Sequence, residues 1–228
     1  MSLKCQESHK RVNVPSAWLV RLAQGVYAFP NDAFDAYSAQ TYLQQRVSGL
    51  HLGGKSALVL QGVRHNLNSR EKLVLWGGVR FTLPTWFTER FPARYVHARL
   101  FDWPDSTLTS QTLATPPGLP EGLSIAVPER AILKLLYEVG VKQSLEEARN
   151  LFDGLRSPRK DLLGQLLACC TSVKAVRLFL AWARETHVID ADDLLARYPV
   201  RTGSDKRWMS RLADGTLLSL NPSRSKQG

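Results

Sequence analysis

Cysteine is scarce in this chain, with three in 228 residues, and acidic residues are fewer than basic ones, 20 against 30. No apolar run approaches the roughly 20 residues that a membrane-spanning helix needs. The first shortage excludes a disulfide framework. Cys169 and Cys170 are adjacent, where a bridge closes only with strain, and Cys5 lies near the terminus. A reducing cytoplasm fits that usage. Met1 to Cys5 shows no apolar core followed by a cleavage site, so a secretory signal is not expected either. Catalytic signatures are missing as well. No G-x-S-x-G elbow or H-E-x-x-H helix occurs, and His9, His51, His65, His97 and His187 are scattered without ligand spacing. No paired acidic and D/E-x-K strands suggest a magnesium nuclease. The expectation is a protein that is no enzyme and needs no metal or cofactor.

The composition is otherwise that of a globular protein, 44% hydrophobic and 22% charged, long enough for one large domain or two modest ones. The formal charge of +10 is concentrated at the ends. Residues 1–30 carry Lys4, Lys10, Arg11 and Arg21 against Glu7, about +3. Residues 197–228 carry Arg197, Arg201, Lys206, Arg207, Arg211, Arg224 and Lys226 against Asp205 and Asp214, about +5. A patch of one sign attracts phosphates and releases their counterions, so nucleic acid is the leading partner. A charged tail that only aids solubility is the plain alternative.

Residues 18–29 read as a two-stranded ribbon turning at Ala23-Gln24-Gly25, with Trp18, Val20 and Tyr27 expected to anchor it. Pro30 stops the second strand, and Asn31-Asp32 offer a cap for a helix over 32–48. A short helix over 55–61 ends at Gly62. Strands are expected over 72–76, 94–101 and 123–127, with a Pro- and Gly-rich loop over 115–122. From Pro128 the chain turns helical: a helix opening with Pro128-Glu129, another at the capping box Ser144 to Glu147, then 161–170 and 173–187. The acidic pairs Asp102/Asp105 and Asp192/Asp193 read as loop or helix-cap residues. The expected class is α+β: an N-terminal winged-helix-like region over 1–82, then a mixed α/β segment and a C-terminal helical packet, together 83–228.

Gly49-Leu50-His51-Leu52-Gly53-Gly54-Lys55-Ser56 satisfies the phosphate-loop pattern G-x-x-x-x-G-K-[ST]. That chemistry needs a buried parallel strand immediately upstream, yet Tyr42 to Ser48 is polar and helical. A glycine-punctuated helix start is the better reading. The ribbon at 18–29 suits the wing of a winged-helix domain, where Arg21 and Gln24 near the tip reach phosphate, although an ordinary hairpin has the same pattern.

Several segments together resemble one family. Trp18-Leu19-Val20-Arg21-Leu22-Ala23-Gln24-Gly25-Val26-Tyr27-Ala28 is similar to the wing of AbiEi-type antitoxins, the regulators of type IV toxin–antitoxin (abortive infection) operons. His51 to Leu58 with Gln61-Gly62 resembles the next signature, which disposes of the phosphate-loop reading. Leu83 to Phe87, Pro128 to Leu133, Ser172 to Phe179 and the basic turn Gly203-Ser204-Asp205-Lys206-Arg207 follow in the family's order. The resemblance covers about Trp18 to about Pro222.

It implies an N-terminal winged helix that binds operator DNA upstream of its own operon and represses it. It also implies a C-terminal domain that neutralises a nucleotidyltransferase-like toxin without forming a stable complex. Lys10, Arg11, Arg21, Gln24, Lys206, Arg207 and Arg211 are the expected nucleic-acid contacts. Only some 17 residues precede Trp18, room for one short helix, so the winged helix is expected to lack its first helices. The alternative is an interaction protein whose degenerate winged helix no longer binds DNA specifically.

Overall fold

A computed structural model describes residues 19–29, 34–63, 72–212 and 215–222. The fold is α+β, as the sequence implies. It opens with a separate antiparallel ribbon, β1 (Val20–Ala23) and β2 (Val26–Ala28), closed by Gly25 at φ +74°. Arg21 lies opposite Tyr27, and the register is irregular between Arg21 and Ala23. The expected anchors are corrected by the burial pattern. Val20 and Tyr27 are 43% and 40% exposed, while Leu22, Val26 and Ala28 pack against the core. Trp18 lies outside the described residues.

Helix α1 (Ala36–Arg46) is capped by Asp35, whose carboxylate accepts from the amides of Tyr37 and Ser38. The expected cap, Asn31-Asp32, lies outside the described residues. A mixed sheet then assembles from short pieces: β3 (His51–Leu52), β4 (Leu73–Gly77), β5 (Ala93–His97), β6 (Leu113–Ala114) and β7 (Ile125–Ala126). Its strand order is β5-β4-β3-β7-β6. The β4–β5 and β3–β7 pairs are parallel, and the β3–β4 and β6–β7 pairs antiparallel. β4 is buried from Val74 to Gly77, as an interior strand covered on both faces must be. Between these strands lie α2 (Gly54–Leu60) and two short helices, α3 (Thr85–Thr88) and α4 (Ser106–Gln111).

The helical packet comprises α5 (Pro128–Glu138), α6 (Leu145–Asp153), α7 (Lys160–Cys169), α8 (Val173–Thr186) and α9 (Ala191–Arg197). α5 packs against α2 on one side and α7 and α8 on others, so it is buried nearly all round. Half of the expected capping box forms. The Ser144 hydroxyl accepts from the Glu147 amide, but the Glu147 carboxylate is taken by Lys55 and Gln143. Asp190 caps α9, and Asp192 and Asp193 fill its acidic first turn, where they favour the positive end of the helix dipole. A second antiparallel ribbon, β8 (Trp208–Arg211) and β9 (Leu217–Leu220), follows the packet, with β9 against α8. Among the described residues no helix is long and apolar enough to cross a membrane.

α5 buries charge as well as apolar side chains. Glu129 holds Arg159 through both carboxylate oxygens, and Glu138 holds Arg94 likewise. Lys134, 3% exposed, puts its amine 2.6 Å from His51 Nε2 and 4.3 Å from the Trp76 ring centre. His51 Nδ1 lies 2.7 Å from the Gly49 carbonyl, which can only accept, so Nδ1 carries the proton and Nε2 accepts from Lys134. Burial first, and then neighbouring positive charge, push both His51 and Lys134 well below their ordinary pKa values, although Glu138 pulls Lys134 the other way. The hydrogen bonds fit a neutral imidazole at His51, and burial works against a charge on the Lys134 amine.

Candidate nucleic-acid interface

Of the positions singled out as contacts, those that are described lie on or next to two ribbons in different sheets. Arg21 in β1 and Gln24 in the adjoining turn are both exposed. Strand alternation puts Arg21 on the outward face beside Tyr27, while Leu22 and Val26 turn inward. Beside this turn lies a cavity of about 360 Å³, walled by Gln24, Val26, Tyr42, Arg46, Phe81 and Trp86 among others. The Arg46 guanidinium stands 4.7 Å from the Tyr42 ring centre, a cation–π stack that adds a positive group near the first ribbon. Arg46 and Tyr27 were not among the expected contacts. Their signal in sequence is slight, because an arginine closing a helix usually only complements the dipole. Lys10 and Arg11 lie outside the described residues.

Arg211 lies at the end of β8, Lys206 and Arg207 in the turn that leads into it, and all three are exposed. The charge there is smaller than the sequence count implies. Arg197 pairs with Asp161 and Asp193, and Arg201 pairs with Asp102. Lys206, Arg207 and Arg211 form no ion pair with a described residue. The ribbon is carried by α8. Its inward face places Trp208, Leu218 and Leu220 against the core, and its outward face exposes Met209, Arg211 and Leu217. Sequence reasoning missed Arg177 of α8, whose buried guanidinium donates to the carbonyls of Thr202, Ser204 and Lys206. Its one signal is position: it falls four residues after Val173, within the helix's apolar stripe.

The glycine-lysine-serine segment is spent on structure. Lys55 pairs with Glu147, and the Ser56 hydroxyl accepts from the Val74 amide at 2.9 Å, tying α2 to β4. His51 and Leu52 form a strand within the motif itself, antiparallel to β4, rather than one upstream of it. Cys169 and Cys170 are buried free thiols, which burial pushes up to about 11 and about 12. Neither is a ready nucleophile. Among the described residues no group of three or more His, Cys, Asp or Glu side chains could hold a metal ion. Arg21 and Gln24 at the first ribbon and Lys206, Arg207 and Arg211 at the second can offer hydrogen bonds and positive charge to an anionic polymer.

Residues 70–220 match a family model described as a transcriptional regulator, AbiEi antitoxin, of type IV toxin–antitoxin systems. Residues 5–69 match the model of the AbiEi antitoxin N-terminal domain, also described as a transcriptional regulator. Among solved structures, the crystal structure of the RV2827C protein from Mycobacterium tuberculosis is similar, with a TM-score of 0.50 and 18% identity. That alignment covers 85% of this chain and 73% of the other, and the likeness is one of fold. No curated protein matches.

Proposed function

Because this chain belongs to the AbiEi antitoxin family, the transcriptional regulators of type IV toxin–antitoxin systems, we propose that it is a DNA-binding autorepressor and antitoxin. It binds operator DNA upstream of its own operon, and it offsets a nucleotidyltransferase-like toxin encoded alongside without a stable complex between the two proteins. The observation that carries this reading is the ribbon Val20–Ala28, with Arg21 and Gln24 exposed at and beside its turn. Such a ribbon lays side chains along a phosphate backbone as a wing does.

Arg21 and Gln24 contact phosphates from the wing, Lys10 and Arg11 contact DNA from the segment before it, and Lys206, Arg207 and Arg211 add backbone contacts from the second ribbon. Residues 1–82 carry operator binding and 83–228 carry neutralisation. The two parts share one sheet, since β3 of the first pairs directly with β7 of the second. No covalent step is involved. Affinity comes from charge and counterion release.

A gel shift with the DNA upstream of the gene, run across salt concentrations, tests the reading. Binding is expected to weaken steeply with salt, and Arg21→Ala is expected to flatten the log–log slope by about 0.9, one phosphate's worth. Binding that is flat with salt, or unchanged in an Arg21→Ala/Gln24→Ala double variant, refutes it. Rescue from the toxin in cells without any operator shift would instead support an interaction protein with a degenerate winged helix.

A further inference from the structure

Arg177 is 3% exposed, yet no described carboxylate pairs with it. Each of its three nitrogens donates to a backbone carbonyl. Nε donates to the Thr202 carbonyl at 2.7 Å, one terminal nitrogen to that of Lys206 at 2.8 Å, and the other to that of Ser204. The segment 202–206 is thus wrapped around a single planar cation, with three carbonyls pointing inward and the side chains of Ser204, Asp205, Lys206 and Arg207 left exposed. Gly203 makes the wrap possible. It sits at φ +77°, and a Cβ there would come 2.9 Å from Val173 Cγ1 and 3.5 Å from the Arg177 guanidinium. Lysine could not substitute fully, because one ammonium cannot match the fixed fan of five donors that a guanidinium presents. Three residues before Arg177 on the same helix, Lys174 donates to the carbonyls of Tyr137 and Val139, so α8 fastens both the end of α5 and the basic turn.

Resting on the assignment of Lys206 and Arg207 to phosphate, we propose that Arg177 is a positioning residue. It holds the 202–206 turn and the β8–β9 ribbon as a preformed clamp on the nucleic-acid backbone, indifferent to base sequence. A turn fixed before binding loses little further conformational freedom on meeting phosphate, and phosphate contacts carry no base information.

The full chain is titrated with two labelled duplexes, the DNA upstream of its gene and a scrambled duplex of equal composition, from about 50 to about 200 mM salt. Lys206→Ala/Arg207→Ala is expected to flatten the log–log salt slope by about 1.8, two phosphates' worth. Arg177→Met is expected to lose between about half and all of that, equally on both duplexes, and Arg177→Lys to recover part of it. A merely structural arginine would shift the unfolding midpoint and leave the slope alone. A wild-type slope in Arg177→Met, or a loss confined to the upstream duplex, overturns the proposal. If Arg177→Met does not fold, Gly203→Ala decides by the same readout, since its Cβ displaces the turn and leaves the guanidinium in place. A double alanine variant with a wild-type slope would remove the phosphate assignment itself, and with it the clamp. Loss in the double variant with none in Arg177→Met spares the assignment and sinks only the role of Arg177.

Discussion

Replacing Lys134 with methionine separates a buried neutral amine from a buried cation. The side chain is 3% exposed and donates to a neutral His51, with Arg130, Glu138 and the Arg94 guanidinium as the charged groups about it. Burial first, then Arg130, hold its pKa well below 10.5 in the folded protein. In the unfolded chain the amine titrates near its ordinary value, so below that value the unfolded state binds a proton that the folded state refuses. Stability from this group therefore rises with pH, by roughly 1.4 kcal/mol per unit while the unfolded amine is fully protonated.

With the folded amine neutral throughout, that comes to a few kcal/mol between about pH 8 and 10, allowing for partial deprotonation of the unfolded chain. His51 is neutral in both states across that range. The thiols of Cys169 and Cys170, raised by burial, act with the opposite sign but equally in both proteins, so they cancel in the difference. Urea unfolding of wild type and Lys134→Met at each pH gives that difference directly. Wild type should gain on the variant as pH rises. Parallel curves would show that Lys134 is charged inside the fold, and the neutral pair would be wrong.

Lys55→Ala should leave the protein indifferent to ATP and magnesium, as wild type is expected to be, and should cost less than about 1 kcal/mol because the Glu147 pair is part-exposed. A nucleotide-dependent rise in melting temperature, lost in the variant, would revive the phosphate-loop reading. At Glu129, burial alone would raise the carboxyl pKa, but the hydrogen bonds and charge of Arg159 outweigh it and hold it below the ordinary carboxylate value. Its stabilisation is complete above the ordinary carboxylate pKa and disappears as pH falls through the lowered folded value, so Glu129→Gln should flatten the acid limb of a stability–pH curve. An acid limb as steep as wild type's would assign that limb to other carboxylates.

The sequence shows most clearly those elements that terminate on special residues. α5 begins at Pro128, α2 stops before Gly62, and the first ribbon turns on Gly25, each with a backbone preference that the neighbours cannot override. What stayed hidden is short. β3 and β6 have two residues each, too few to display alternation, and they are strands only because partners flank them. α4 and α9 begin at Asp105 and Asp190, yet their acidic neighbours resemble loop composition as much as a capped first turn. The outward Arg21 and Gln24 were legible from the turn between two β-prone runs. The inner face was misassigned because Val20, Leu22 and Val26 are equally apolar, and nothing in their composition says which of them meet the core. Arg177 could not be recognised as a turn-holder, because the carbonyls it serves lie 25 to 29 residues further on.

α5 has a bearing on how the protein is made. Nine of its eleven residues are buried, and the partners covering it in α7 and α8 come later in the chain. As the polypeptide leaves the ribosome, Ile132, Leu133, Leu135 and Leu136 emerge before those partners exist, with the charges of Arg130, Lys134 and Glu138 still in water. A nascent chain ending shortly after Glu138 is thus a sticky, unfinished object, and interrupted synthesis should yield fragments that chaperones hold or proteases clear.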